Sequence, residues 1–249
     1  MVTANKASTA APSVNDAGRA IARPPLATNA CYPAGMQASS RGPLRRWWDR
    51  RVLPTLIDKA CKSHAILEER MRWVPQASGD ILELGAGTGH NFRFYDAAHA
   101  VHVTAVDISP NVLAKAVPHV RTAAVPIELL HVDAQTLPFD QQRFDTVVST
   151  YTMCSIDNIE RALSEVRRVL KPSGRLIFVE HGLAAQPSTA RWQKRLTPAW
   201  RTISGDCRLD RNIAALLTAN NFALSELTTG TTEGPSIAAY IYQGIARPG

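Results

Sequence analysis

Seven consecutive residues constrain this chain more than any other feature: Glu83-Leu84-Gly85-Ala86-Gly87-Thr88-Gly89, an E-x-G-x-G-x-G run behind the apolar segment DILEL. Glycines let the backbone turn sharply and let a ligand approach it closely, because no Cβ stands in the way. The run therefore reads as the end of a strand, a tight turn and a short helix reaching about Tyr95. The free amides of that helix would face whatever sits on the turn. An ordinary strand–helix turn is the competing reading, and three alternating glycines behind an apolar strand speak against it.

The rest of the chain repeats the alternation. VHVTAVD (101–107) predicts a second strand, and SPNVLAKAV (109–117) a helix with Ser109 as N-cap and Pro110 at its first position. PIELLHVD (126–133) and FDTVVSTY (144–151) predict the third and fourth strands. NIERALSEVRRVL (158–170) is an amphipathic helix stopped by KPSG, and RLIFVEHG (175–182) is the fifth strand. Residues 187–219 read as helical or irregular. FALSELTT and IAAYIYQGIA are two final strands separated only by GTTEGPS, so they should pair as a hairpin. Strands joined by helices imply right-handed crossovers with helices on both faces. The expected fold is thus α/β: a doubly wound, seven-stranded sheet, mostly parallel, with one antiparallel strand from the C-terminal hairpin.

Two segments precede this body. Residues 1–40 are polar, contain proline and show no sustained period, which predicts a flexible extension. Residues 41–249 then form one domain with a helical cap at about 43–75, where Trp47, Leu53, Leu56, Ile57, Ala60, Ile66 and Leu67 recur at helical spacing. Pro54 predicts a break there and hence two helices. Charge is concentrated in the same region. Residues 1–75 hold 12 Lys/Arg against 5 Asp/Glu, whereas residues 76–249 hold 16 of each. A neutral body lacks the field that gathers long polyanions, so no nucleic-acid partner is expected. Trp47 and Trp48 among Arg45, Arg46, Arg50 and Arg51 could form a membrane-surface or nucleic-acid patch, or could belong to a cofactor-covering helix with a solvated basic face. No apolar run approaches the roughly 20 residues that cross a bilayer. The N-terminus lacks an export signal's apolar centre, so a cytoplasmic protein is expected. Cys31, Cys61, Cys154 and Cys207 are widely spaced, without C-x-x-C or a Cys/His cluster, and predict neither a metal site nor a disulfide framework.

In open α/β sheets ligands bind at the carboxyl ends of the strands. Three acids fall there in succession: Glu83, Asp107 and Asp133. A carboxylate after the second strand can accept hydrogen bonds from a ribose diol, although a loop cap would use the same residue. A nicotinamide fingerprint is G-x-G-x-x-G, and His90 stands where its third glycine should be.

ILELGAGTG, VTAVDISPNVLAKA, HVDAQTLPFDQQRFDTVVST and EVRRVLKPSGRLIFVEHG together resemble the successive motifs of class I S-adenosylmethionine-dependent methyltransferases, with their Rossmann-like sheet. The similarity is greatest to the group containing the ubiquinone/menaquinone-biosynthesis and phospholipid methyltransferases. It covers about residues 45–249. TMCSIDNIERALSEVRRVLKPSGRLIFVEHG and PAWRTISGDCRLDR are further similar to the alkyl-thiol methyltransferases and their bacterial relatives. The animal proteins begin with a hydrophobic membrane segment; here the polar extension stands instead. The resemblance implies S-adenosylmethionine as cofactor and S-adenosylhomocysteine as product. It implies that Gly85, Ala86, Gly87 and Gly89 line the methionine moiety, with Glu83 behind them. Asp107 would bind the ribose, Ile108 flank the adenine, and Asp133 reach the adenine amino group beside Ala134. Thr150 and Tyr151 would lie along the cofactor near the acceptor.

Methyl transfer from a sulfonium asks chiefly for alignment, and a base helps only where the acceptor must lose a proton. His181, His90 and Asp206 are candidate bases. His181 is best placed, at a strand end, where it either serves as catalytic base or merely bonds backbone. Cys154 and Cys207 read as small buried or loop residues rather than nucleophiles. STYTMC follows the fourth strand instead of an N-P-P-Y-type motif, which disfavours methylation of adenine bases. The stretch Leu183–Gly205, with Trp192, Leu196, Pro198, Trp200 and Ile203, is where an acceptor pocket is expected. The reading is a small-molecule acceptor, largely apolar, with a thiol first. Phospholipid, amine, phenol or quinone-precursor acceptors come next. Outside that class stand a nicotinamide oxidoreductase and a catalytically silent binding relative.

Overall fold

The computed structural model describes residues 62–233 and 237–249, together with Arg51, Val52, Thr55 and Asp58. The extension 1–40, the Trp47/Trp48 patch and the break expected at Pro54 lie outside the described residues. Apart from Arg51, Val52, Thr55 and Asp58, the described part of the helical cap is chiefly α1 (His64–Trp73).

The sheet strands are β1 (Gly79–Leu84), β2 (Ala100–Asp107), β3 (Ile127–His131), β4 (Phe144–Thr150), β5 (Leu170–His181), β6 (Phe222–Thr231) and β7 (Tyr240–Pro248). They lie in the order β3-β2-β1-β4-β5-β7-β6. Every neighbouring pair is parallel except β5–β7 and β6–β7, so β7 is the antiparallel strand of the expected hairpin. Strand order reverses between β1 and β4, which leaves a crevice at their carboxyl ends. The helices that follow are α2 (Pro110–Val120), α3 (Ile159–Val169), α4 (Pro187–Ile203) and α5 (Ile213–Ala219).

Side chains alternate across a strand, and here they divide the core in two. Leu82, Leu84, Val147, Leu176 and Phe178 face one layer with Leu163 and Val166 of α3 and Ile213 and Leu217 of α5. Ile81, Val103, Val148, Ile177 and Val179 face the other, with Trp73 of α1, Phe92, and Leu113 and Ala116 of α2. The same alternation sends Glu83 to the α1/α2 face and Glu180 to the α3/α5 face.

Three local expectations need correction. No α-helix follows the glycine run; the chain makes turns and a 3-10 turn at Phe92–Phe94 before reaching β2. The stretch is instead tied down by its side chains, Asn91 and Tyr95 both donating to buried Glu83. Ser109 stands at the N-cap of α2, but its side chain makes no cap hydrogen bond. Its amide is instead bound by Asp107. The KPSG segment does not stand as a separate stop: α3 ends at Val169 and β5 begins at Leu170, with an irregular register opposite Phe144–Thr146.

Candidate active site

The glycine run and the end of β2 form one wall of the crevice. Gly85 (φ 63°) and Gly87 (φ 58°) both take the left-handed conformation that L side chains avoid. Their surroundings differ. A Cβ on Gly85 would fall 2.2 Å from Thr152 Oγ1, so this glycine lets the loop after β4 pack against the turn. A Cβ on Gly87 would meet nothing nearer than 3.8 Å, so this glycine borders open space at the crevice. Gly89 packs against Phe92 and Ala116. Ala86 is buried and its amide donates to Val106 O at 2.9 Å, tying the turn to β2.

Asp107 joins the two strand ends. Gly87 N donates to its Oδ2 at 2.9 Å and Ser109 N to its Oδ1 at 2.8 Å. Burial raises its pKa. It is therefore a loop clasp, yet each carboxylate oxygen keeps a further lone pair that a diol can use. Ile108, next in the chain, is 56% exposed, as a side chain awaiting a flat apolar partner would be. Asp133 binds its own turn, accepting from Gln135 N at 2.9 Å and from Gln135 Nε2 at 3.0 Å. Ala134 is half-buried beside it. An open glycine turn, a clasping carboxylate and an exposed isoleucine fit an extended nucleoside with a short zwitterionic tail.

Behind the glycines, Glu83 is fully buried. Tyr95 OH donates to it at 2.6 Å and Asn91 Nδ2 at 3.0 Å. Burial pushes its pKa up to about 7, against the lowering pull of these partners and of Arg70. Asn91 Nδ2 and Arg70 Nη1 also donate to Thr150 Oγ1, at 3.0 and 2.8 Å, and Arg70 donates to Asn91 Oδ1. The network runs from β1 through α1 to the end of β4. Glu83 thus holds the turn from behind, and Thr150 is bound into the wall. Asp58 accepts from Thr88 Oγ1 at 2.9 Å and meets His90 Nε2 at 3.0 Å, so its carboxylate ties to the end of the glycine run. His90 is buried there, with a pKa lowered chiefly by burial.

The other wall is built differently. The chain leaves β4 through Tyr151, whose φ of 55° is unusual for a non-glycine residue. Its ring lies 4.7 Å from that of His181 at the end of β5, and the Arg70 guanidinium lies 5.6 Å from it. Glu180, next to His181, points to the opposite face and is fully buried. Thr152 N and Met153 N donate to its Oε1 at 3.0 Å, Ser149 Oγ at 2.7 Å, and Cys154 N donates to Oε2 at 3.3 Å. Burial raises its pKa in spite of these donors. Arg211 grips the same loop, donating to the Met153 carbonyl and to Asp157 O.

This loop brings together residues that the sequence spacing separates. The ligating atoms of Cys154, His181 and Cys207 all lie within 4.8 Å of one another. The expectation of no Cys/His cluster is therefore corrected. Residues spread over more than fifty positions meet because β4, β5 and the segment after α4 end at one point. Cys154 and Cys207 are indeed small buried side chains, packed with Leu209 and Trp200. They share a hydrogen bond that pushes the Cys154 thiol well up and lowers Cys207. Of the expected acceptor-pocket residues, Trp200 packs on this pair, whereas Trp192, Leu196 and Ile203 are exposed on α4. Asp206 lies at φ 66°, 3.5 Å from Arg201.

Residues 82–178 match the family model described as a methyltransferase domain. That match spans the glycine turn, Asp107, Asp133 and the end of β4. Residues 82–178 carry a methyltransferase domain. Over 135 residues it is 38% identical to Thiol S-methyltransferase TMT1B of Rattus norvegicus, covering 53% of this chain and 54% of that one. Over 105 residues it is 37% identical to the phosphatidylethanolamine N-methyltransferase of Cereibacter sphaeroides, covering 41% and 51%. The chain thus spans about half the length of these curated relatives. Among solved structures, N-methyltransferase NodS from Bradyrhizobium japonicum, in complex with S-adenosylhomocysteine, superposes with a TM-score of 0.58. That match is 16% identical and covers 76% of this chain and 90% of NodS. It shows the fold of the methyltransferase domain. No helix among the described residues is long and apolar enough to cross a membrane.

Sequence reasoning missed Arg70, Asn91, Tyr95, Glu180 and Arg211. One signal was present for the glutamate: a single charged residue inside an apolar strand, VEH, repeating the pattern of Glu83 in ILEL. Arg70 and Arg211 carried no such mark.

Proposed function

We propose that the protein transfers a methyl group from S-adenosylmethionine to the thiol of a small, largely apolar acceptor. The observation that carries the reading is the position of Tyr151 and His181, side by side at the ends of β4 and β5, across the crevice from the glycine turn and Asp107. The likeness to thiol S-methyltransferases supports the choice of sulfur. When bound, the cofactor supplies an electrophilic methyl on a sulfonium. The chain's own residues do the rest. Gly85, Gly87 and Gly89 keep backbone within reach of the methionine tail, and Asp107 fixes the ribose. Ile108, Asp133 and Ala134 border the adenine. Thr150 and Tyr151 end the wall on the acceptor's side, and His181 borders the acceptor itself. A thiol, with a pKa of about 8.5, is partly ionised near neutral pH, so orientation supplies most of the acceleration.

Turnover of full-length protein on a panel of thiols, phenols, amines and phosphatidylethanolamine, read as S-adenosylhomocysteine formed, tests this. Thiols should be the fastest class. Robust turnover of phosphatidylethanolamine, with none on any thiol or phenol, overturns the acceptor while leaving the methyltransferase domain as it is. Calorimetric titration should show micromolar S-adenosylmethionine binding, roughly −8 kcal/mol, and none of NAD.

A further inference from the structure

Cys154, His181 and Cys207 are not among the residues proposed above to hold the cofactor, yet their ligating atoms converge where His181 meets the Tyr151 ring. Soft thiolates and an imidazole are the ligand set of zinc and of similar thiophilic ions. A tetrahedral ion with metal–sulfur bonds of about 2.3 Å spaces its ligands roughly 3.5–3.8 Å apart. The three donor atoms lie within 4.8 Å of one another, so closing around an ion asks for shifts on the order of 1 Å.

The surroundings already hold the donors in place. The backbone of Cys154 is pinned by Glu180 through its amide at 3.3 Å. Its carbonyl accepts from Arg208 N at 2.9 Å, which docks the Cys207 segment directly on the Cys154 loop. His181 sits in the register of β5, paired with Ile241 of β7. Cys154 and Cys207 are buried in one cluster with Leu209, against which Trp200 packs. Outer contacts of this kind orient ligands in working metal sites. Two thiolates would also neutralise a dication in a place where unpaired charge is costly.

We propose that Cys154, His181 and Cys207 form a three-ligand site for a zinc-class divalent ion, with its fourth position open to the acceptor. Three protein ligands and one open position is the pattern of catalytic rather than structural zinc. An acceptor thiol entering that position binds as thiolate, because a coordinating thiol is deprotonated by the ion, and its proton leaves to solvent. As its sulfur forms the new bond to the methyl carbon, the bond from that carbon to the sulfonium sulfur breaks. The resulting thioether is a weaker ligand and departs. His181 then acts as a ligand in place of a base. The acceptor half of the proposal rests on the thiol reading above; the ion-binding half does not.

Cobalt(II) titration of the reduced full chain, followed by absorption spectroscopy, separates the two halves. The expected result is one equivalent bound, with a thiolate-to-cobalt charge-transfer band and strong tetrahedral visible absorption. Cys154→Ser and Cys207→Ser should each cut that band by about half, and His181→Ala should lower cobalt affinity at least tenfold. S-adenosylmethionine affinity, retained within a few-fold by Cys207→Ser, shows that the variant is folded. Adding a thiol substrate without cofactor should then shift the visible bands, and a phenol should not. No stoichiometric cobalt in the reduced wild-type protein overturns the site, even if thiols are methylated. So does an isolated protein lighter by two hydrogens, with Cys154 and Cys207 disulfide-bonded and no metal taken up after reduction. Cobalt bound with spectra indifferent to thiols overturns only the acceptor's place in the coordination shell.

Discussion

The two walls of the crevice each rest on a fully buried glutamate, and the two glutamates are held in opposite ways. Glu83 is met by side chains, Tyr95 and Asn91, and Asn91 passes the contact on to Thr150 and Arg70. Glu180 is met by three successive backbone amides and one hydroxyl. A side-chain network can rearrange around a proton, whereas a main-chain clasp fixes where the loop goes. The wall at the glycine turn can therefore keep its buried acid protonated. The acceptor wall depends on its acid for shape.

Removing the clasp should have the largest effect. Glu180→Ala leaves three amides buried without an acceptor and should lower unfolding free energy by about 4 kcal/mol in urea melts. Glu180→Gln, which keeps one acceptor oxygen, should lose less than half of that. Equal losses in the two variants would mean that Glu180 acts by filling space.

The Glu83 side of the contrast is read by pH. Its folded pKa is raised to about 7 from 4.5, so the folded state holds the proton more tightly than the unfolded state. The associated stability is fully present below pH 4.5 and is lost as pH rises through 7. Wild-type protein should lose up to about 3 kcal/mol relative to Glu83→Gln between these limits. Parallel stability curves for the two proteins would mean that Glu83 titrates in the fold as it does in the unfolded chain.

Asp107→Ala should weaken S-adenosylmethionine binding by about 2 kcal/mol in calorimetry, since the ribose loses a charged acceptor. It also frees the amides of Gly87 and Ser109, so a loss of stability accompanies it. Asp107→Asn retains an acceptor oxygen and should recover more of the stability than of the affinity. If stability collapses while the folded fraction binds normally, the residue is a clasp alone.

A smaller effect is expected for Gly87→Ala. The space is open, and the left-handed φ costs an alanine about 1 kcal/mol. The variant should fold and bind S-adenosylmethionine less tightly. Unchanged affinity would move the methionine tail away from this turn. Deleting residues 1–40 should change least of all, leaving cofactor affinity within a few-fold; a large loss would make that segment part of the site.

Much of the cofactor wall was legible in advance because its parts are local. A glycine run, an acid after each of three strands and an apolar residue following one of them are statements about neighbouring residues. The strand period then carries them to one edge of the sheet. Even there, Asp107 turned out to clasp Gly87 as well as Ser109, and Asp133 to bind its own turn, which spacing alone could not reveal. The helix expected after Gly89 gave way to a 3-10 turn whose Asn91 and Tyr95 side chains hold Glu83.

From the sequence alone came the sheet, its single antiparallel strand and the glycine turn, because periodicity and turn chemistry act over a few residues. Only the folded chain decided what Arg70, Glu180 and Arg211 do, since a charged side chain acquires its role from the groups that surround it when buried. Only the fold, likewise, brought Cys154, His181 and Cys207 to one point. Their spacing in the chain carries no trace of it, because three separate elements must end together for them to meet.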